Sequence, residues 1–153
     1  MTPKPLKRHK ALQPLSREHH HGLLLSWKIR SGFSKNIEIE RIKQYADWFF
    51  ENHLIPHFAL EETHIFTILP SDNELVKRAL AEHRRLKRLF TNDEDAAKNL
   101  HKIEEELEQH IRFEERTLFP EIQKAATEEQ LALIAEIHHE EGFVDNVKDE
   151  FWR

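Results

Sequence analysis

One segment of this chain is written twice. His57-Phe58-Ala59-Leu60-Glu61-Glu62 returns as His110-Ile111-Arg112-Phe113-Glu114-Glu115, and both copies continue through apolar residues to a proline, Pro70 or Pro120. Upstream of each copy stands a His followed three residues later by Leu: His20 with Leu23, and His83 with Leu86. The chain therefore divides into two helical hairpins. Each carries one His on its first helix and an H-x-x-x-E pair on its second. This repeat constrains the fold because the titratable residues fall on the apolar face of each helix.

The stripes make that explicit. Val76, Ala79, His83, Leu86 and Phe90 step by three and four residues, the spacing of one buried helix face. Leu100, Ile103, Leu107, His110, Glu114 and Leu118 form a second stripe, and Phe50, Leu54, His57, Glu61, Ile65 and Ile68 a third. On the first helix, His20, Leu23 or Leu24, and Trp27 give the fourth. All four stripes carry a His, and two also carry a Glu one turn later.

Capping signals divide the chain into five helices. The first starts near Ser16 and ends near Gly32. The second runs from about Ile37 to Leu69, with Pro56 inside it to kink it or break its hydrogen bonding. Capping boxes at Ser71–Glu74, Thr91–Glu94 and Thr127–Gln130 open the third, fourth and fifth. The third runs to about Phe90, the fourth to Phe119-Pro120 or slightly beyond, and the fifth towards Phe151. Only three Gly in 153 residues, with Glu, Lys, Leu, Ala and Ile abundant, argue for an all-α chain and against sheet folds. Short connections make successive helices antiparallel. The expectation is an up-down-up-down four-helix bundle over residues 15–126, with an additional C-terminal helix, 127–153, packed on it. Residues 1–14 hold Pro3, Pro5 and Pro14 with Lys4, Lys7, Arg8 and Lys10, and read as an extended, solvated basic arm.

Composition narrows the chemistry. The absence of Cys excludes disulfides, thiolate metal sites, iron–sulfur clusters and Cys nucleophiles. The longest apolar runs are a few residues, too short for a membrane span, which points to a cytoplasmic protein. A net charge of −5 does not suggest nucleic acid as a partner. What remains is a Cys-free set of imidazoles and carboxylates in a bundle core. Burying a carboxylate without a partner is expensive. His20, His57, Glu61, His83, His110 and Glu114 therefore read as ligands for a pair of first-row transition ions, with the carboxylates able to bridge. Each His and the Glu at i+4 share one helix face and can serve one centre. Nitrogen and oxygen ligands favour iron or manganese over structural zinc. Six side chains leave coordination positions open for a small molecule. The Leu spacing selects His20 over its neighbours His19 and His21, and Glu115 is the alternative to Glu114.

With those residues in view, the chain resembles the hemerythrin-like HHE cation-binding domains over residues 15–120. The Leu15-Ser16-Arg17-Glu18-His19-His20 opening and the H-F-x-x-E-E segment at 57–62 carry the likeness. The resemblance implies a four-helix bundle holding two iron ions in a non-haem, carboxylate-bridged centre. It implies binding or sensing of oxygen or another diatomic, or iron handling. An enzyme consuming oxygen, peroxide or nitric oxide is the alternative, with electrons from a separate redox partner. Oxygen-carrying hemerythrins have a second His one turn after the third-helix ligand. Here that residue is Lys87, which argues against simple oxygen carriage.

The remaining histidines carry lesser expectations. His53 and His64 read as partners of the ligands, and His9 and His101 as exposed. On the fifth helix, His138 or His139, with Glu141 nearby, either marks a surface boundary or closes the open end of the bundle. That helix equally offers a homodimer face.

Overall fold

The computed structural model describes residues 7–138 and 143–153. Every regular element among them is helical. Helix α1 spans Gln13–Ser34. A second, unbroken helical rod comprises α2 (Ile39–Phe49), a π turn (Phe50–Leu54), α3 (Ile55–Leu60), another π turn (Glu61–Ile65) and a 3₁₀ turn (Phe66–Ile68). Helix α4 spans Glu74–Thr91. The fourth rod comprises α5 (Ala96–Phe113), a third π turn (Glu114–Leu118) and α6 (Phe119–Ala125). Helix α7 covers Glu128–Ile137. No helix among the described residues is long and apolar enough to cross a membrane.

Two apolar clusters hold the rods together, with the titratable residues between them. One gathers Leu25 and Ile29 of α1, Phe49 and Leu54 of the second rod, Leu86 of α4 and Leu107 of α5. The other gathers Leu15 of α1, Ile65, Ala79, Leu118 and Phe119, and Leu131 and Ile134 of α7. Along α1 the chain passes from the second cluster to the first, along the second rod it returns, and the direction alternates again through α4 and α5. The apolar stripes read from the sequence on the second, third and fourth helices all lie in this core, with Ile68 half-buried.

The first helix differs. His20 and Trp27 are exposed, and Leu24 is at the surface. Its buried face is Leu15, His19, Gly22, Leu25 and Ile29, about 100° round from the stripe read on His20. Gly22 lets α1 approach α5: a Cβ there would stand 2.7 Å from Ile111 Cδ1. Gly32 lies inside α1, not at its end, and admits Ile42 of α2 in the same way.

The prolines do not interrupt the rods. Pro56 and Pro120 each follow a π turn, where the α hydrogen-bond pattern is locally replaced, and the helical path continues through both. Two of the three capping boxes are replaced. Asn73, not Ser71, caps α4, its Oδ1 accepting the N–H groups of Leu75 (2.8 Å) and Val76 (3.2 Å). Asp95, in left-handed conformation with φ 53°, caps α5 in place of Thr91. The Thr127–Gln130 box forms as expected, with both reciprocal bonds.

Both ends of the chain are more engaged than the sequence suggested. Ala11 and Leu12 are buried, and Arg8 donates to the Glu115 carbonyl at 2.7 Å, so this stretch packs on the fold while Lys7 and Lys10 stay exposed. Pro3, Lys4 and Pro5 lie outside the described residues. Helix α7 stops at Ile137, well short of Phe151. His139 and Glu141 are also outside the description. From Phe143 the chain runs without helix across α1 and α2. Lys28 Nζ, itself buried, donates to Asp145 (2.6 Å) and to the Tyr45 hydroxyl (2.8 Å), Arg41 clasps Asp149, and Phe151 and Trp152 insert into the core.

This tail is part of the fold's stability. Phe151→Ala is expected to cost roughly 3 kcal/mol in a denaturant titration, as for other buried Phe truncations. Val147→Ala, at an exposed position of the same segment, should change it by less than about 0.5 kcal/mol. Equal small effects would show that the tail does not carry the core.

Candidate metal centre

Between the two apolar clusters, His19, His57, Glu61, His83, His110 and Glu114 meet. All are buried, and both carboxylates are wholly inaccessible. Five of these six are the residues read from the sequence. The sixth is a correction: His20 is exposed, and His19 stands in the core in its place. Glu114, not Glu115, is the inward carboxylate of the doublet.

Each imidazole is braced by a glutamate at its Nδ1. The pairs are His19 with Glu115, His57 with Glu18, His83 with Glu62 and His110 with Glu82, all at 2.7 Å. A carboxylate only accepts, so each Nδ1 carries the hydrogen and Nε2 faces inward. Of these four, the ligand reading held only Glu115, as the alternative to Glu114; Glu18, Glu62 and Glu82 were absent from it. A signal for them was present: each is the sequence neighbour of a core residue, as Glu18-His19, Glu61-Glu62, Glu82-His83 and Glu114-Glu115. Three of the outer glutamates have a further basic neighbour. Arg8 lies 3.6 Å from Glu115, Arg78 donates to Glu82 at 2.9 Å, and His138 Nε2 lies 3.1 Å from Glu18. Ser16, expected as a helix cap, donates to Glu115.

The inward atoms are the anomaly. The Nε2 atoms of all four histidines and both carboxylate oxygens of Glu61 and of Glu114 are buried without a hydrogen-bond partner. Orphaned polar atoms on this scale are costly and require an explanation. Their spacing supplies one. Atoms about 2.1 Å from a shared ion lie roughly 3.0–4.2 Å from each other. His83 Nε2 is 3.2 Å from Glu61 Oε1, His57 Nε2 is 3.4 Å from Glu61 Oε2, and His19 Nε2 is 3.6 Å from that same oxygen. Glu114 Oε1 is 3.8 Å from His19 Nε2 and 3.9 Å from His83 Nε2, and closest to His110. The atoms form two groups that could each hold a metal ion: His19, His57 and Glu61, and Glu61, His83, His110 and Glu114, with ligand atoms within 4.8 Å of one another. Glu61 belongs to both, offering one oxygen to each side.

Electrostatics follow from this crowding. Burial opposes the charged imidazole, but the Glu61 charge and the bond to Glu18 outweigh it and push His57 up to about 10. Burial likewise opposes charging of His83, which the surrounding carboxylates of Glu114, Glu61 and Glu62 push up to about 11. His110 reaches about 9 against the same burial, chiefly through Glu114. Glu61 is held well below its ordinary value despite burial, chiefly by His57. Without an ion, protons are the only cations that can offset these carboxylates.

The other histidines have separate places. His64 and His101 are exposed, His101 stacking on Phe33. His9 is half-buried, its Nδ1 accepting the Ala11 N–H. His53 makes no bond to a ligand; burial lowers its pKa, and it lines a cavity of about 630 Å³. That cavity opens beside the cluster and reaches His19, His57, His110 and Glu114. Compared with protein families, curated proteins and solved structures, the chain matches none.

The raised imidazole values set a pH dependence for the metal-free protein. Their stabilisation is complete below the unfolded imidazole value near 6.5 and is lost as pH rises through about 9 to 11. Calorimetry in excess chelator should show a melting temperature that falls from pH 6.5 to pH 10. A melting temperature that rises over that interval would contradict the assigned pairing.

Proposed function

We propose that this chain is a non-haem di-metal protein that binds or senses oxygen or a related small oxidant. Its fold would be an up-down-up-down four-helix bundle with α7 added, similar to the hemerythrin-like HHE domains. The observation that carries this reading is the set of eight buried ligand atoms, four imidazole nitrogens and four carboxylate oxygens, that have no other partner. The alternating direction of the rods between the two apolar clusters supports the bundle topology.

The residues fit the group. His19 and His57 would hold one ion, His83 and His110 the other, and Glu61, with an oxygen towards each, would bridge them. Glu114 would complete the second group and lies near the first. Imidazole and carboxylate donors without thiolate favour iron, with manganese or zinc as competitors. A bound pair of redox-active ions would supply reversible one- or two-electron chemistry towards the small oxidant. The chain's own part is to fix each imidazole through its Nδ1 bond, to hold Nε2 unprotonated towards the ion, and to exclude bulk water from the layer. A second reading, an enzyme that consumes the oxidant, is favoured by one observation: the cavity beside the cluster is far larger than a diatomic requires.

Anaerobic loading with ferrous iron, metal counting and admission of air under an absorption spectrometer tests the reading. About two irons per chain with new near-ultraviolet and visible bands is the expected result. Reversal under vacuum would favour the carrier or sensor, and irreversible oxidation the enzyme. No iron uptake would overturn it. Ligand assignment is tested separately. His19→Ala should lower metal content while His20→Ala leaves it unchanged. Glu61→Ala should reduce both sites, and His83→Ala chiefly one. Chelation should also lower the melting temperature, because a ligand at a thousandfold its Kd stabilises the folded state by about 4 kcal/mol.

A further inference from the structure

The cavity beside the cluster is too large for the oxidant alone. A water molecule or a diatomic takes up on the order of 30 Å³ in a liquid. The cavity holds about 630 Å³, within the range of pockets for organic ligands. Its inner end meets His19, His57, His110 and Glu114. Its deep walls are apolar, from Leu54, Phe58, Leu107 and Ile111, all nearly inaccessible. Its outer part is a shelf of rings. His21 and Phe143 stack at 4.0 Å with 15° between their planes, and Phe143 lies 4.7 Å from His53. The mouth is formed by residues at the surface, Asn52, Ile137 and Val144.

We infer that this cavity binds a neutral aromatic molecule of roughly ten to fifteen non-hydrogen atoms that carries a hydroxyl group, its ring between the apolar walls and its hydroxyl towards the His19 and His57 end. Apolar walls and a shelf of flat rings select a planar, apolar body. The inner end selects the polar group. Glu18 and Glu114 line the cavity beside His19, His57 and His110, so carboxylate acceptors and imidazoles stand together there. A hydroxyl both donates and accepts and so fits either partner; a carboxylate or phosphate on the ligand only accepts and has nothing to give the glutamates. The inference rests on the di-metal reading only for the orientation of the hydroxyl. The cavity and its lining stand without the ions.

The test uses 2-naphthol as the probe and 2-naphthoate as its anionic counterpart, with binding measured by calorimetry on the full chain, metal-loaded and metal-free. 2-Naphthol is expected to bind below about 1 mM and at least tenfold tighter than 2-naphthoate. Ile111→Trp, which fills the inner cavity, should weaken it at least tenfold. The double variant Asn52→Trp, Val144→Trp narrows the mouth at surface positions, so it preserves the fold if the buried change does not. It should weaken 2-naphthol by a similar factor with metal content unchanged. No binding to the wild-type chain at 1 mM would overturn the inference. So would equal affinity for the two probes, or affinity unchanged in the mouth variant. A chain that takes up no metal yet binds 2-naphthol in the cavity would overturn the di-metal reading and leave this one standing. Metal uptake without 2-naphthol binding would do the reverse.

Discussion

Two carboxylates buried among four imidazoles, with their inward atoms unbonded, are the constraint on which the structure depends. A layer of that kind can exist only if its ligand atoms are held rigidly and a cation takes their charge. The four Nδ1 bonds do the holding, and each joins two different rods. Glu18 ties α1 to the second rod, Glu62 ties that rod to α4, Glu82 ties α4 to α5, and Glu115 ties the fourth rod back to α1. The result is a closed ring of charge-assisted bonds around the layer. It explains why the glutamates come as neighbours of core residues. Adjacent helical positions point about 100° apart, so one residue of each doublet enters the core while the other reaches the facing rod. A single sequence doublet thus places one inward residue and braces an imidazole on another helix.

The π turns keep these positions on one face. From His57 the buried residues follow at intervals of four, Glu61 and Ile65, and from His110 likewise Glu114, Leu118 and Ile122. In an α-helix each step of four overshoots a full turn by about 40°, so successive steps would carry the later residues off the core. The wider turns at Glu61–Ile65 and Glu114–Leu118 take up that excess. They begin at the two inward glutamates. The ligand layer and the apolar cluster beyond it are therefore served by the same rod without a break.

Periodicity made most of this legible. Wherever an apolar stripe was regular, as on the second, third and fourth helices, its buried face and its His and Glu residues were read correctly. On the first helix two repeats competed. Matching Leu three residues after His aligned His20 with His83. Matching the Glu-His doublets would have aligned Glu18-His19 with Glu82-His83, and the structure follows the doublet, because the Glu of each pair has a partner to brace. Helix starts were misplaced where a stronger cap lay a few residues on, Asn73 for Ser71 and Asp95 for Thr91. The tail and the cavity were not legible at all. Residues such as Phe143, Phe151 and Trp152 owe their places to contacts with α1 and α2, far away in sequence, and no local period announces them.

The repeat also shows why the layer opens on one side. His83 and His19 occupy equivalent places, and each lies beside an equivalent phenylalanine: Phe66 is 5.4 Å from His83, and Phe119 is 5.2 Å from His19. The residue after the second-helix His differs. In the first half it is Phe58, stacked on His83 at 3.8 Å. In the second half it is Ile111, an aliphatic residue packed on Gly22; both Phe58 and Ile111 line the cavity. An aromatic ring from this position covers one imidazole, and an aliphatic side chain at the equivalent position stacks on neither. α7 and the tail then fall on the open side, where Ile137, His138 and Phe143 complete the cavity. Two halves with the same inward residues are thus made unequal by the side chains around them. The cavity reaches His19, His57, His110 and Glu114, while His83, behind its ring, is outside its lining.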